Sequence, residues 1–133
     1  MVTVKTFLFG GEWLTTSDDT IVTAIQETYK QTFFLLYYEY NKGDETGFEL
    51  TYGFEDRRLP GKVFKMMEDI SGTIQEKVFK VQQSGSGTIP LVTPNTCNRL
   101  HITVSLINPG GSPGNLTIWV IPDSLYLLET SRV

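Results

Sequence analysis

Apolar and polar residues alternate with period two along three stretches of the chain. Phe48, Leu50, Tyr52 and Phe54 fall on one side and Glu49, Thr51 and Gly53 on the other, the spacing of a strand with one buried face. The same alternation sets Leu100, Ile102, Val104 and Leu106 against His101, Thr103 and Ser105, and Leu116, Ile118 and Val120 against Thr117 and Trp119. Between Phe33 and Tyr40 the run FFLLYYEY is apolar or aromatic on both faces. That pattern suits a central strand covered on both sides, or one that enters an oligomer contact. Weaker strand signals lie at 2–9, 20–27, 63–67, 74–81 and 89–92. Residues 21–30 also place Ile21, Ala24, Ile25 and Tyr29 near one helical face; the β-branched residues at the start of this stretch put strand ahead of helix.

Turn chemistry separates these runs. TTSDD, NKGDETG, EDRRLPG, SGSG, TPNTCN and NPGGSPGN combine glycine, proline and small polar residues. NKGDETG reads as a hairpin loop between the strands on either side of it. Pro90 and Pro122 belong at strand edges or ends, because proline cannot donate to a ladder. Eight or nine short strands with this punctuation point to an all-β sandwich or barrel, with a two-sheet antiparallel sandwich as the expected form. It reads as one domain over residues 1–133, with 1–12 and 123–133 as candidate terminal arms.

Charge and cysteine content narrow the function classes. Eleven basic residues against fifteen acidic ones give net charge -4 and a pI of about 4.9, which disfavours a phosphate backbone as partner. No apolar run is long enough to cross a bilayer as a helix, and the first eleven residues lack the pattern of a secretory signal. Neither nucleic acid nor membrane is an expected partner. Cys97 is the one cysteine, so an intrachain disulfide and a thiolate cage are excluded.

The candidate chemistry is thin. His101 is the single histidine and sits on the polar face of its strand, as a solvent-facing or edge residue. The acidic pairs Asp18 and Asp19, Asp44 and Glu45, Glu55 and Asp56, and Glu68 and Asp69 lack calcium-loop spacing and read as turn and solubility residues. Cys97, in the loop before the strand that opens near Arg99, reads as a plain structural thiol. The glycines do not form a phosphate cradle. No catalytic, cofactor-binding or metal-binding residue is expected, and the chain reads as a non-enzyme.

The aromatic residues carry more information. Trp13, Tyr37, Tyr38, Tyr40, Tyr52, Trp119 and Tyr126 serve either the core or an exposed platform for sugar or protein. Trp13 and Tyr126 lie outside the clear strands. Leu125, Tyr126, Leu127 and Leu128 form an apolar run after Pro122, either a last strand or an arm docking on a neighbouring subunit. Trp13, Leu125, Tyr126, Leu127 and Leu128 are therefore the candidate partner-binding residues. A carbohydrate-binding sandwich module is the rival reading, and Trp13, Trp119 and Tyr126 sharing one open surface would favour it.

LLYYEYNKGDETGFELTYGFED followed by ISGTI, then IPLVTPNTCNRLHITVSL and the closing LTIWVIPD, resembles small β-sandwich virion proteins of tailed bacteriophages. The likeness spans roughly residues 20–123 and lies in strand order and turn phrasing. It implies a jelly-roll-like fold, a place in the virion and a structural role, as a capsid decoration protein or minor head or tail component. It also implies a homo-oligomer, of which a trimer is typical, in contact with a capsid or tail protein.

Overall fold

The computed structural model describes residues 2–7, 12–15, 21–28 and 32–122. Among them it contains twelve strands and no helix: β1 (Val2–Phe7), β2 (Glu12–Thr15), β3 (Ile21–Glu27), β4 (Phe33–Asn41), β5 (Gly47–Asp56), β6 (Val63–Lys65), β7 (Met67–Ile70), β8 (Thr73–Glu76), β9 (Val78–Val81), β10 (Gly85–Val92), β11 (Cys97–Ile107) and β12 (Asn115–Pro122). Residues 21–27 are strand, not helix, and pair along their length with β11.

Two sheets share the framework. One has the order β3–β11–β5–β9 and the other β2–β12–β4–β10. These eight strands alternate between sheets along the chain except at β5 and β9, which pair in one sheet, and make the double Greek key of a jelly roll. The remaining four are additions to it. β1 runs parallel to β3 and extends that sheet by one strand. β6 and β9 lie along the same side of β5, opposite residues 53–55 and 48–51. Met66 donates to the Tyr52 carbonyl between them, so they form one edge line interrupted by the β7–β8 hairpin.

Alternation along each strand becomes the core directly. Phe48, Leu50 and Tyr52 from β5 and Leu100, Ile102 and Val104 from β11 face Phe34, Leu36 and Tyr40 from β4 and Leu116, Ile118 and Val120 from β12. Tyr52 also ties the sheets: its hydroxyl donates to the Val92 carbonyl at 3.0 Å and accepts from the Val92 amide at 3.3 Å. β4 is central in its sheet, between β10 and β12. Its second apolar face, Phe33, Leu35 and Tyr37, points away from the core and is only half-buried. Pro90 lies in the edge strand β10, and Pro122 ends β12.

One local expectation is overturned. The segment NKGDETG does not make a hairpin, because β4 and β5 belong to different sheets. It is a corner between the sheets, and its partner is the loop ahead of β12. Asp44 donates its amide to the Ser112 carbonyl at 3.0 Å and accepts the Ser112 amide on its carboxylate at 2.9 Å. Glu45 turns inward, 1% exposed. It accepts from the amides of Gly43 and Gly114 and from the Tyr40 hydroxyl. Gly43 and Gly114 are in backbone contact across this junction, and a Cβ on either would overlap the facing backbone.

Candidate functional site

The polar groups that the sequence marks as candidate chemistry are structural ties. His101 is not solvent-facing: its Nε2 lies 2.6 Å from Glu55 Oε1, with 16% of the imidazole side chain and 7% of the carboxylate side chain exposed. Gly53, opposite His101 in the ladder, has no side chain to block the carboxylate two residues on. The pair fastens β11 to β5, and the Gly61 amide also donates to Glu55, at 3.3 Å. Asp56 accepts from the backbone amide, Nε and NH2 of Arg58 and from the Thr96 hydroxyl. Cys97 is buried where β11 opens, its thiol 3.3 Å from the Arg99 carbonyl, and burial pushes the thiol pKa up. Among the described residues no three histidine, cysteine or acidic side chains converge as a metal site would require.

These ties set an acid sensitivity. Burial alone would raise the carboxyls of Glu45 and Glu55, but their hydrogen bonds outweigh it. Tyr40, Gly43 and Gly114 hold the first below its usual range, and His101, Gly61 and Arg99 the second. Arg58, with Thr96, holds Asp56 lower still. All three therefore have folded pKa values below the unfolded values of about 4. Their stabilisation is complete above that range and is lost as pH falls through the folded values. The denaturation midpoint should stay level as far as these groups govern it above about pH 5, and drop steadily below about pH 4. A midpoint that rises on acidification from about pH 5 to 3 would contradict the assignment.

Two surfaces remain as candidates for binding. The first is the outer face of the four-stranded sheet. Tyr37 and Trp119 are opposite each other on β4 and β12, with ring centroids 5.5 Å apart and planes inclined at 42°. Both are half-buried, and the Tyr37 hydroxyl donates to Glu39 at 3.3 Å. Beyond them a shallow polar groove of about 400 Å³ is lined by Glu39, Asn41, Ser86, Asn115 and Thr117. Both aromatics are sequence candidates; their pairing, across 82 positions of chain, is not visible in either strand alone.

The second surface is the open seam where the β6–β9 edge of one sheet faces β10 of the other. Tyr52, Met66, Val92 and Pro94 line one cleft there, and Phe54, Leu59, Phe64 and Pro94 line the next, each about 370 Å³. Phe54 and Phe64 are a cross-strand pair with centroids 5.9 Å apart. Among the described residues the exposed large apolar side chains are Leu59, Phe64 and Val92 at these clefts, Met67, Ile70 and Ile74 on the hairpin, and Val63, which stands opposite Glu55 on the outer face of its sheet. Single-strand alternation misses this cluster, because its members come from a loop, an edge, a hairpin and the end of β10.

Of the sequence-proposed partner residues, Trp13 lies in β2. There the pairing shifts from Leu14 opposite Ile118 to Glu12 opposite Trp119, which makes Trp13 the extra residue of a bulge. Leu125, Tyr126, Leu127 and Leu128 lie outside the described residues. The condition that Trp13, Trp119 and Tyr126 share one open surface falls outside the described residues at Tyr126; Trp119 instead pairs with Tyr37 on the outer face of its sheet.

No family model matches the chain, and no curated protein matches it. Solved structures do. A surface-associated copper-binding protein, CorA of Methylomicrobium album BG8, aligns at 8% identity with a TM-score of 0.50, over 92% of this chain and 100% of its own. A CBM4 structure aligns at 10% identity and a TM-score of 0.49, over 78% of this chain and 63% of its own. The pre-peptidase C-terminal domain of a collagenase from Bacillus anthracis aligns at 8% identity and a TM-score of 0.42, over 88% and 93%. At 8% identity the likeness to the copper-binding protein is one of fold alone.

Proposed function

We propose that this chain is a non-enzymatic assembly component that works by binding copies of itself and a larger protein surface. The virion reading, a capsid decoration or minor head or tail protein, is the specific form that the sequence resemblance favours. The carrying observation is the apolar seam and hairpin: Ile74 is 64% exposed, Val92 55% and Met67 46%. Clustered apolar exposure of this kind marks a surface that a protein partner covers. His101, Glu55, Asp56, Asp44 and Glu45 are engaged in joining strands and loops, which suits a part whose task is to hold shape.

A second reading is favoured by the Tyr37–Trp119 pair beside its polar groove. Aromatic rings on an open sheet face, with carboxylate, amide and hydroxyl groups adjacent, are suited to stacking on a sugar and hydrogen-bonding its hydroxyls.

Light scattering of the purified chain over a range of concentrations separates the two. A trimer or larger ring is expected, with no retention on polysaccharide matrices. A strict monomer that is retained on a polysaccharide, and released by Trp119→Ala, would replace the assembly reading with the carbohydrate one.

A further inference from the structure

Resting on the assembly reading, we propose that the β7–β8 hairpin of one copy seats in the cleft formed by Phe54, Leu59, Phe64 and Pro94 of a second copy, head to tail. The hairpin is a formed element without cover. β7 pairs with β8 alone among the described strands. The turn is closed by Ser71 and Gly72, both at positive φ, 52° and 86°, and by the Gly72 amide donating to Asp69 at 2.9 Å. Two positive φ values in succession give the turn whose twist matches a hairpin, and glycine adopts the second without strain. An isolated two-stranded hairpin is marginal in water. Yet Met67, Ile70 and Ile74 are all exposed, and at about 3.3 Å per residue each of its four-residue strands is roughly 13 Å long.

The cleft offers what the hairpin lacks. Phe54 and Phe64 line it at the end of the sandwich, Leu59 is 45% exposed at its lip, and its volume is about 370 Å³. Charge makes the two sides complementary. The hairpin, residues 67–76, carries Glu68, Asp69 and Glu76 and no basic residue; the loop over the cleft, residues 57–62, carries Arg57, Arg58 and Lys62 and no acidic one. Arg58 is engaged by Asp56. Arg57 donates to the neutral Asn95 carbonyl and keeps its charge unbalanced by that contact. Such pairing steers the approach and sets orientation, while the apolar contact supplies affinity.

Hairpin and cleft are different patches of one surface. Their contact is therefore heterologous: each copy gives a hairpin to one neighbour and receives one from another, and a rotation that closes makes a ring. A trimer satisfies this. An isologous dimer, with the same patch facing itself, does not.

The test uses full-length chains carrying Ile74→Asp in the hairpin or Leu59→Asp at the cleft. Both positions are exposed, so folding, followed by circular dichroism, should be unchanged. Each variant should lose self-association by about 10- to 100-fold, as expected for the loss of one anchoring side chain. Mixing the two should give a 1:1 dimer that grows no further, because the Leu59→Asp copy still has an intact hairpin and the Ile74→Asp copy an intact cleft. Lys62→Glu should weaken association and Glu68→Lys in the same chain should restore it. If wild-type chains assemble and both variants assemble equally well, the contact is elsewhere and this inference falls, while the assembly reading stands. If each variant is monomeric but the mixture stays monomeric, the head-to-tail arrangement is wrong. A wild type that is monomeric throughout removes the assembly reading and this contact together.

Discussion

Replacing Glu45 with alanine should destabilise the chain by about 3 kcal/mol, as hydrogen bonds to a buried charge and the donors left behind each count for one to three. The carboxylate is 1% exposed and receives the Tyr40 hydroxyl and the amides of Gly43 and Gly114. Alanine leaves those three donors in a space too tight for ready hydration, since Gly43 and Gly114 pack backbone against backbone. Glu45→Gln should cost about half as much, because one amide oxygen still accepts while its NH2 opposes the remaining donors. The thermal midpoint of Glu45→Ala should fall by roughly 10 °C or more, and the amides of Gly43 and Gly114 should exchange with solvent much faster than in the wild type. A loss below about 1 kcal/mol would mean that the loops hold together without the carboxylate.

Phe48→Ala should be at least as damaging, at about 3–5 kcal/mol. Phe48 is fully buried and reaches from β5 in one sheet to the tyrosines of β4 in the other. It makes edge contacts to Tyr38 at 5.7 Å and Tyr40 at 4.9 Å. Removing the ring takes away transfer energy and leaves a cavity that two stiff sheets cannot close. A total stability of about 5–15 kcal/mol would be cut by a large fraction. Tyr40 touches both Phe48 and Glu45, so the double variant should lose less than the sum of the two single losses; strict additivity in urea unfolding would show that the ring and the loop anchor act separately.

Both effects start from contacts between elements, and that is where sequence reading and structure part company. The strand faces were legible. Phe48, Leu50 and Tyr52, and Leu100, Ile102 and Val104, alternate because a strand turns successive side chains to opposite sides, and those residues do line the core. The sandwich class and the edge position of Pro90 follow from the same local rules, but the described residues hold twelve strands instead of eight or nine, because β2 and β7 carry no alternation signal and 74–81 divides into β8 and β9. NKGDETG was legible as a turn but not as a corner between sheets. A turn sequence constrains its own backbone and says nothing of the sheet to which the next strand belongs.

The site residues show the same division. Tyr37 and Trp119 each read as a candidate platform residue, but their meeting depends on β4 and β12 becoming neighbours. The Glu55–His101 tie spans 46 positions and required the β5–β11 register, in which a slip of one residue would have turned His101 to the core. The seam was hidden for a further reason. Phe64 and Ile74 read as ordinary strand residues, Ile70 lay between two strand signals, and only the arrangement of sheet edges leaves them uncovered.

By itself, then, the chain's sequence determined which residues form strands, which face of each long strand is apolar, where the chain turns, and that its charge is acidic. The tertiary structure alone decided which strands pair, which turns cross between sheets, which acids become buried anchors and which apolar residues are left at the surface. The physical reason is range. Backbone geometry and side-chain alternation act within a few residues, whereas pairing, burial and exposure are set by segments brought together from distant parts of the chain, at the register that covers the most apolar surface.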